Sequence, residues 1–162
     1  MRIVALLLFT NNLLAVGADH WEVEWSYRLR LMLAVLAVTD NPEEQLILAQ
    51  IPRFESNYRE DVGECKVLGS AGEVTAWQIL PRSPTERARL CVSLEGDAQV
   101  ALERIRESMR ACRSLPRRDR LALYARGRCL HDTGRRLSRH RTPTDAALAR
   151  YRGLVARENV KD

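Results

Sequence analysis

Apolar residues in this chain recur every three or four positions, in stretches separated by Pro, Gly, Ser and Asn. That spacing commits most of the chain to amphipathic helices, each burying one face. Between Asp19 and about Val38, Trp25, Leu29, Met32, Leu33 and Leu36 fall together. Asn41-Pro42-Glu43-Glu44 is a helix start: an N-cap, a proline in the first turn, then acids favoured by the helix dipole. The helix that follows carries Leu46, Ile47, Ala49 and Ile51 towards Glu55. Pro52 lies inside it and lacks an N–H, which predicts a kink or an early end. Residues 57–74 hold Gly63, Gly69 and Gly72 with few periodic apolar positions, the composition of a loop or small hairpin. Thr75 to Leu80 reads as a short helix stopped by Pro81. A longer helix from about Asp97 aligns Ala98, Ala101, Leu102, Ile105, Met109 and Cys112. Ser114 and Pro116 cap the next, which runs through Leu121 and Tyr124 to Gly127. Arg135 to Arg141 reads as an exposed connection. Thr142-Pro143-Thr144-Asp145 then opens a last helix, with Ala146, Leu148, Ala149, Tyr151 and Leu154 available for burial.

At 162 residues the chain is long enough for one domain with a proper core. Met1-Arg2, the apolar run Ile3 to Phe9 and the small residues ending at Ala18 have the layout of a secretory signal peptide, interrupted by Asn11 and Asn12. The folded domain is therefore expected over 19–162. The apolar run is too short and too polar in its middle for a membrane span. Cys65, Cys91, Cys112 and Cys129 lack the close pairing of zinc ligands, and His20, His131 and His140 form no ligand set, so no metal is expected. Two disulfides fit better and imply an oxidising compartment. Three connectivities are open; Cys65–Cys91 with Cys112–Cys129 is favoured because each ties an element to the next along the chain.

Charge divides the chain. Residues 1–81 hold 6 Lys+Arg against 11 Asp+Glu, and residues 82–162 hold 20 against 10. The basic half suits either a solvated face or attraction to an anionic polymer. Nucleic acid is disfavoured, because few aromatics accompany the arginines and no recognition motif is present.

Three ordered motifs carry the chemistry. An apolar helical segment closes on Glu55-Ser56. Gly72-Glu73-Val74-Thr75-Ala76-Trp77-Gln78-Ile79-Leu80-Pro81 follows, and then Ala122-Leu123-Tyr124-Ala125-Arg126-Gly127. Over residues 43–130 this order resembles the catalytic core of the lytic transglycosylases, lysozyme-like enzymes that cut the glycan strands of bacterial cell walls. That family's second motif runs approximately Gly-x-x-Gly-Leu-Met-Gln-hydrophobe-x-Pro. Gly72, Gln78, Ile79 and Pro81 match it, and Thr75 stands where the second glycine is expected. The third runs approximately Ala-Tyr-Asn-x-Gly; Tyr124 and Gly127 match, and Ala125 replaces the asparagine.

The resemblance implies a mainly α (α+β lysozyme-like) fold, with a small hairpin or irregular loop beside an active-site cleft. It also implies a catalytic Glu55, oriented by Tyr124, with Gln78, Ser56 and Trp77 towards the glycan. For Trp77, packing in the core is the stronger expectation. A carboxyl held against apolar neighbours is pushed towards its protonated form, the general acid that glycosidic cleavage requires. A two-carboxylate glycosidase needs a second acid. Glu60, Asp61, Glu64 and Glu73 are the candidates, and all lie in a polar loop. Without one, the muramic C6 hydroxyl is the nucleophile and a 1,6-anhydro ring closes, with no cofactor. Peptidoglycan is the expected partner, and an exported or virion-associated setting the expected location. The rival from another class is a non-catalytic lysozyme-fold component of a phage tail or secretion apparatus.

Overall fold

The computed structural model of the chain describes residues 21–129 and 143–159; the expected leader and the Arg135–Arg141 connection lie outside them. The fold is mainly helical. In chain order it comprises α1 (Trp21–Val38), α2 (Pro42–Glu55), α3 (Glu60–Gly63), α4 (Pro84–Arg89) and α5 (Leu94–Ala111). A 3-10 turn (Arg117–Asp119), α6 (Ala122–Arg126) and α7 (Asp145–Asn159) complete it. Among the described residues the sole β pairing is an antiparallel bridge between Val74 and Ile79.

Helix α2 is the centre, touched by α1, α5 and α7. Leu46 to Ala49 and Ile51 are buried in near succession, as befits a helix surrounded on most sides. Burying each large aliphatic side chain stabilises the fold by about 1.5–3 kcal/mol. Asn41 caps α2 as its sequence predicts, its side chain accepting the Glu43 N–H at 2.9 Å. Gln45 joins three parts of the chain. Its amide donates to the Thr39 carbonyl at 2.8 Å, and its Oε1 accepts the buried Tyr151 hydroxyl at 2.7 Å, docking α7.

Several expectations need correction. On α1 the buried stripe runs through Tyr27, Leu31, Ala34 and Val35, whereas Leu33 is 51% exposed. Leu33 sits two positions from Leu31 and from Val35, roughly opposite them on a 3.6-residue helix. On α7, Leu148 and Tyr151 are buried while Ala146 and Ala149 face outward. The long helix α5 begins three residues before Asp97, because Ser93 caps it by accepting the Gly96 N–H at 3.0 Å. The short helix α4, not anticipated, starts on Ser83-Pro84-Thr85-Glu86, where the Ser83 hydroxyl accepts the Glu86 N–H at 3.1 Å. Within 57–74 the loop carries the single turn α3. The helix expected to run through Leu121 and Tyr124 is divided into the 3-10 turn and α6, the latter stopped by Gly127 at φ 68°, a left-handed cap that glycine adopts without strain.

The charge division is partly resolved by internal pairing. Arg106 clamps Glu44 at 2.8 and 2.9 Å, and Arg117 meets Glu43 at 2.9 Å while also pairing with Asp145. Arginines of the basic half thus neutralise the acids that open α2. Both favoured disulfides are formed, Cys65–Cys91 and Cys112–Cys129.

Candidate active site

Pro52 shapes the site by what it lacks. In a regular helix the Leu48 carbonyl would receive the N–H of residue 52, and proline has none. The indole of Trp77 supplies the missing donor, Nε1–H to the Leu48 oxygen at 3.0 Å. α2 therefore continues past the proline to Glu55, and the Trp77 segment is fastened to its side. The helix ends at Ser56, whose N–H and hydroxyl both reach the Pro52 carbonyl, at 3.0 and 2.8 Å. Asn57 and Tyr58 take positive φ (50° and 57°), turning the chain back. The Tyr58 hydroxyl then donates to the Ala49 carbonyl at 3.0 Å. Glu55 is left at the rim.

The segment expected as a helix, Thr75 to Leu80, is instead the tip of a tight hairpin. Val74 and Ile79 exchange backbone hydrogen bonds at 3.0 and 2.8 Å. Thr75 and Gln78 take φ 69° and 49°, which no helix accommodates. Thr75 thus occupies the left-handed conformation that glycine adopts without strain. For a β-branched residue this is strained by about 1–2 kcal/mol. Within and just beyond the 57–74 loop, the β pairing among the described residues is this single bridge.

A groove of about 530 Å³ runs beside this hairpin, and Glu55, Glu73, Gln78, Leu80, Tyr124 and Ala125 are among the residues lining it. Three of the motif residues, Glu55, Gln78 and Tyr124, thus come together from the end of α2, the hairpin and α6. Ser56 and Trp77 do not line it. Ser56 is buried with its hydroxyl on Pro52, and Trp77 is wholly buried in the core. Glu55 itself is exposed. The expectation of a carboxyl enclosed by apolar neighbours is not met, because the chain turns inward only after it.

Tyr124 donates its hydroxyl proton to the Trp77 carbonyl at 2.7 Å, tying α6 to the hairpin one residue before Gln78. Burial first, and the nearby Glu55 carboxylate second, push its ionisation far above the ordinary tyrosine value. The phenol stays protonated, and with its one proton given to Trp77 its remaining capacity is that of an acceptor. Ser108, which the periodicity alone did not single out, sets α6 in place. Wholly buried on α5, it accepts the Tyr124 N–H at 3.1 Å and donates to the Arg120 carbonyl at 2.7 Å. A serine within the apolar face of an amphipathic helix was the available signal. Gln78 donates to the Thr75 carbonyl at 3.1 Å across its own turn.

Of the four acids weighed as a second carboxylate, Glu73 lines the groove. Glu60 and Glu64 pair with Arg30, Glu64 also meets Lys66 at 2.7 Å, and Asp61 is held by Arg59. The Glu73 carboxylate accepts the Ala71 N–H at 2.9 Å. Gly69 makes room for it: a Cβ there would collide with the Glu73 carboxylate and stand 2.7 Å from Gln78 Oε1. Among the described residues no group of three or more His, Cys, Asp or Glu is placed to hold a metal ion. None of their helices is long and apolar enough to cross a membrane.

Comparison with protein-family models, curated proteins and solved structures finds no match for this chain.

Proposed function

We propose that this chain is a peptidoglycan lytic transglycosylase that cleaves the β-1,4 bond between N-acetylmuramic acid and N-acetylglucosamine. The observation that carries the proposal is the convergence of Glu55, Gln78 and Tyr124, from three separate segments, on one groove. Glu55, protonated, gives its proton to the glycosidic oxygen. The resulting carboxylate then takes the proton of the muramic C6 hydroxyl as that oxygen attacks C1 and closes the 1,6-anhydro ring. Holding the nucleophile within the substrate replaces a second enzyme group by proximity. The glycan, on filling the groove, excludes water from the reacting bond. The exposed Leu80 (54%) gives an apolar surface for a sugar ring. The two disulfides are compatible with an exported protein.

Glu73 favours a second reading. A carboxylate fixed in the same groove suits the activation of a water molecule, which would make the reaction a hydrolysis. Glu55→Gln tests the shared premise. Release of soluble fragments from purified sacculi should fall at least about 100-fold, the scale of losing a general acid, with the helical circular dichroism unchanged. Retained activity contradicts both readings. Wild-type protein that binds sacculi and releases nothing would indicate a non-catalytic component of a phage tail or secretion apparatus.

A further inference from the structure

Gly69 stands where the backbone does not require a glycine. It takes no positive φ, unlike Gly72 at 89° and Gly127 at 68°, so other residues fit its conformation. What it supplies is room. A Cβ there would lie 2.3 Å from Glu73 Oε2 and 2.7 Å from Gln78 Oε1. Those two oxygens therefore meet over the bare Cα of Gly69, and both residues line the groove.

The backbone around them is fastened. The Gly69 N–H donates to the Glu73 carbonyl at 2.9 Å, the Gly72 N–H to the Gly69 carbonyl at 3.0 Å, and the Ala71 N–H to Glu73 Oε2 at 2.9 Å. Gln78 gives its amide N–H to the Thr75 carbonyl at 3.1 Å, which leaves Oε1 as the end beside Glu73. Two acceptor oxygens side by side repel each other unless a donor bridges them. Among the described residues none does: the Ala71 N–H reaches Glu73 alone, and Gln78 Oε1 accepts no hydrogen bond. The cations of the lining are engaged elsewhere, Arg82 with Glu107 and Arg104 with Glu86, each at 2.7 Å. Tyr124 adds a third acceptor, its proton already given to Trp77.

This part of the groove therefore suits a group that donates several hydrogen bonds and accepts none. A hydroxyl both donates and accepts, and an acetamido group offers one N–H beside its own carbonyl. A primary ammonium offers three donors and the charge that a carboxylate favours. We infer that the Glu73–Gln78 pair binds the ammonium of a hexosamine lacking its N-acetyl group, so that the protein prefers de-N-acetylated glycan to fully acetylated glycan. This inference rests on the proposed glycan groove and specifies the sugar it takes. The ring's own 2-amino group is the source, because Glu73 and Gln78 line the same groove as Glu55.

The test uses Glu55→Gln protein, which keeps the groove and lacks the acid. It is titrated calorimetrically with a hexamer of glucosamine and a hexamer of N-acetylglucosamine, at a pH where the amines are protonated. The free-amine hexamer should bind about tenfold more tightly, the scale of one partly exposed charge-assisted contact. The net charge of +5 opposes a polycation, so general electrostatics does not produce this preference. Adding Glu73→Gln, which keeps an acceptor for the Ala71 N–H, should bring the ratio close to one. Gly69→Ala, whose methyl displaces both oxygens, should do the same. Equal affinity for the two hexamers, or a preference that Glu73→Gln leaves intact, overturns the inference while the glycan groove stands. Failure of both hexamers to bind overturns it together with the groove. An acetylated hexamer bearing an aminoalkyl group at its end should bind no better than the plain one, and a tenfold gain there overturns the assignment to the ring.

Discussion

At the scale of single residues, Asp97 carries the clearest pH dependence in the fold. It lies in the first turn of α5, 1% exposed, and accepts the Cys91 N–H at 2.8 Å. Burial pushes its carboxyl up to about 6, and that hydrogen bond offsets the rise only in part. A carboxyl whose folded pKa exceeds its unfolded value stabilises the fold fully only below the unfolded value, near 3.8. That contribution is lost as pH rises through about 6, beyond which the fold must hold a buried charge. Stability should therefore fall by about 2 kcal/mol between pH 4 and pH 7 on account of this one group. In Asp97→Asn, whose side-chain carbonyl still accepts the Cys91 N–H, chemical denaturation over that window should show a slope flattened by this amount. An unchanged slope would mean that the buried carboxyl titrates as it does in the unfolded chain.

At the scale of elements, the proline of α2 and the tryptophan of the hairpin form one device. Trp77→Phe removes the donor to the Leu48 carbonyl and should cost about 1–3 kcal/mol beyond the lost ring volume. Pro52→Ala restores a backbone N–H within reach of that carbonyl. In its background the cost of Trp77→Phe should be smaller by about 1 kcal/mol, a coupling that a double-mutant cycle reads. At this junction long-range contacts take over from local sequence rules. The start of α2, the run to Glu55 and the stop at Gly127 were legible because capping and proline rules act within a few residues. Thr75 to Leu80 reads as a helix because it is a short apolar stretch stopped by Pro81. What prevents the helix is the positive φ at Thr75 and Gln78, together with an indole bond to a residue 29 positions away. Ser108 and Gln45 were missed for a similar reason: their hydrogen bonds span 16 and 106 positions, to Tyr124 and Tyr151.

Across the whole molecule, the groove is assembled from pieces that the core alone does not hold. Residues 122–126 make only a short helix, joined to α5 by Ser108 and by Cys112–Cys129. The second disulfide, Cys65–Cys91, joins the end of α3 to the link before α5. Removing Cys112–Cys129 by a Cys112→Ala, Cys129→Ala pair should lower stability by about 3 kcal/mol, from the chain freedom restored across the 17-residue separation. Because Tyr124 lies within that loop, glycan cleavage should fall further than the unfolded fraction accounts for. Activity assayed well below the melting temperature checks this, and a loss no larger than the unfolded fraction would contradict it. The helical class and the favoured pairing of the cysteines were both legible in the sequence. The exposure of Glu55 and the arrival of Glu73 in the groove were not, because both depend on where loops turn in three dimensions.

The most direct measurement is mass spectrometry of the fragments that the purified protein releases from bacterial sacculi. One proton-transferring carboxyl at position 55, working on a nucleophile that the substrate itself supplies, predicts muropeptides ending in 1,6-anhydro-muramic acid. Fragments ending in reducing muramic acid would contradict that mechanism in favour of a water activated at Glu73, and no soluble fragments at all would contradict the enzyme.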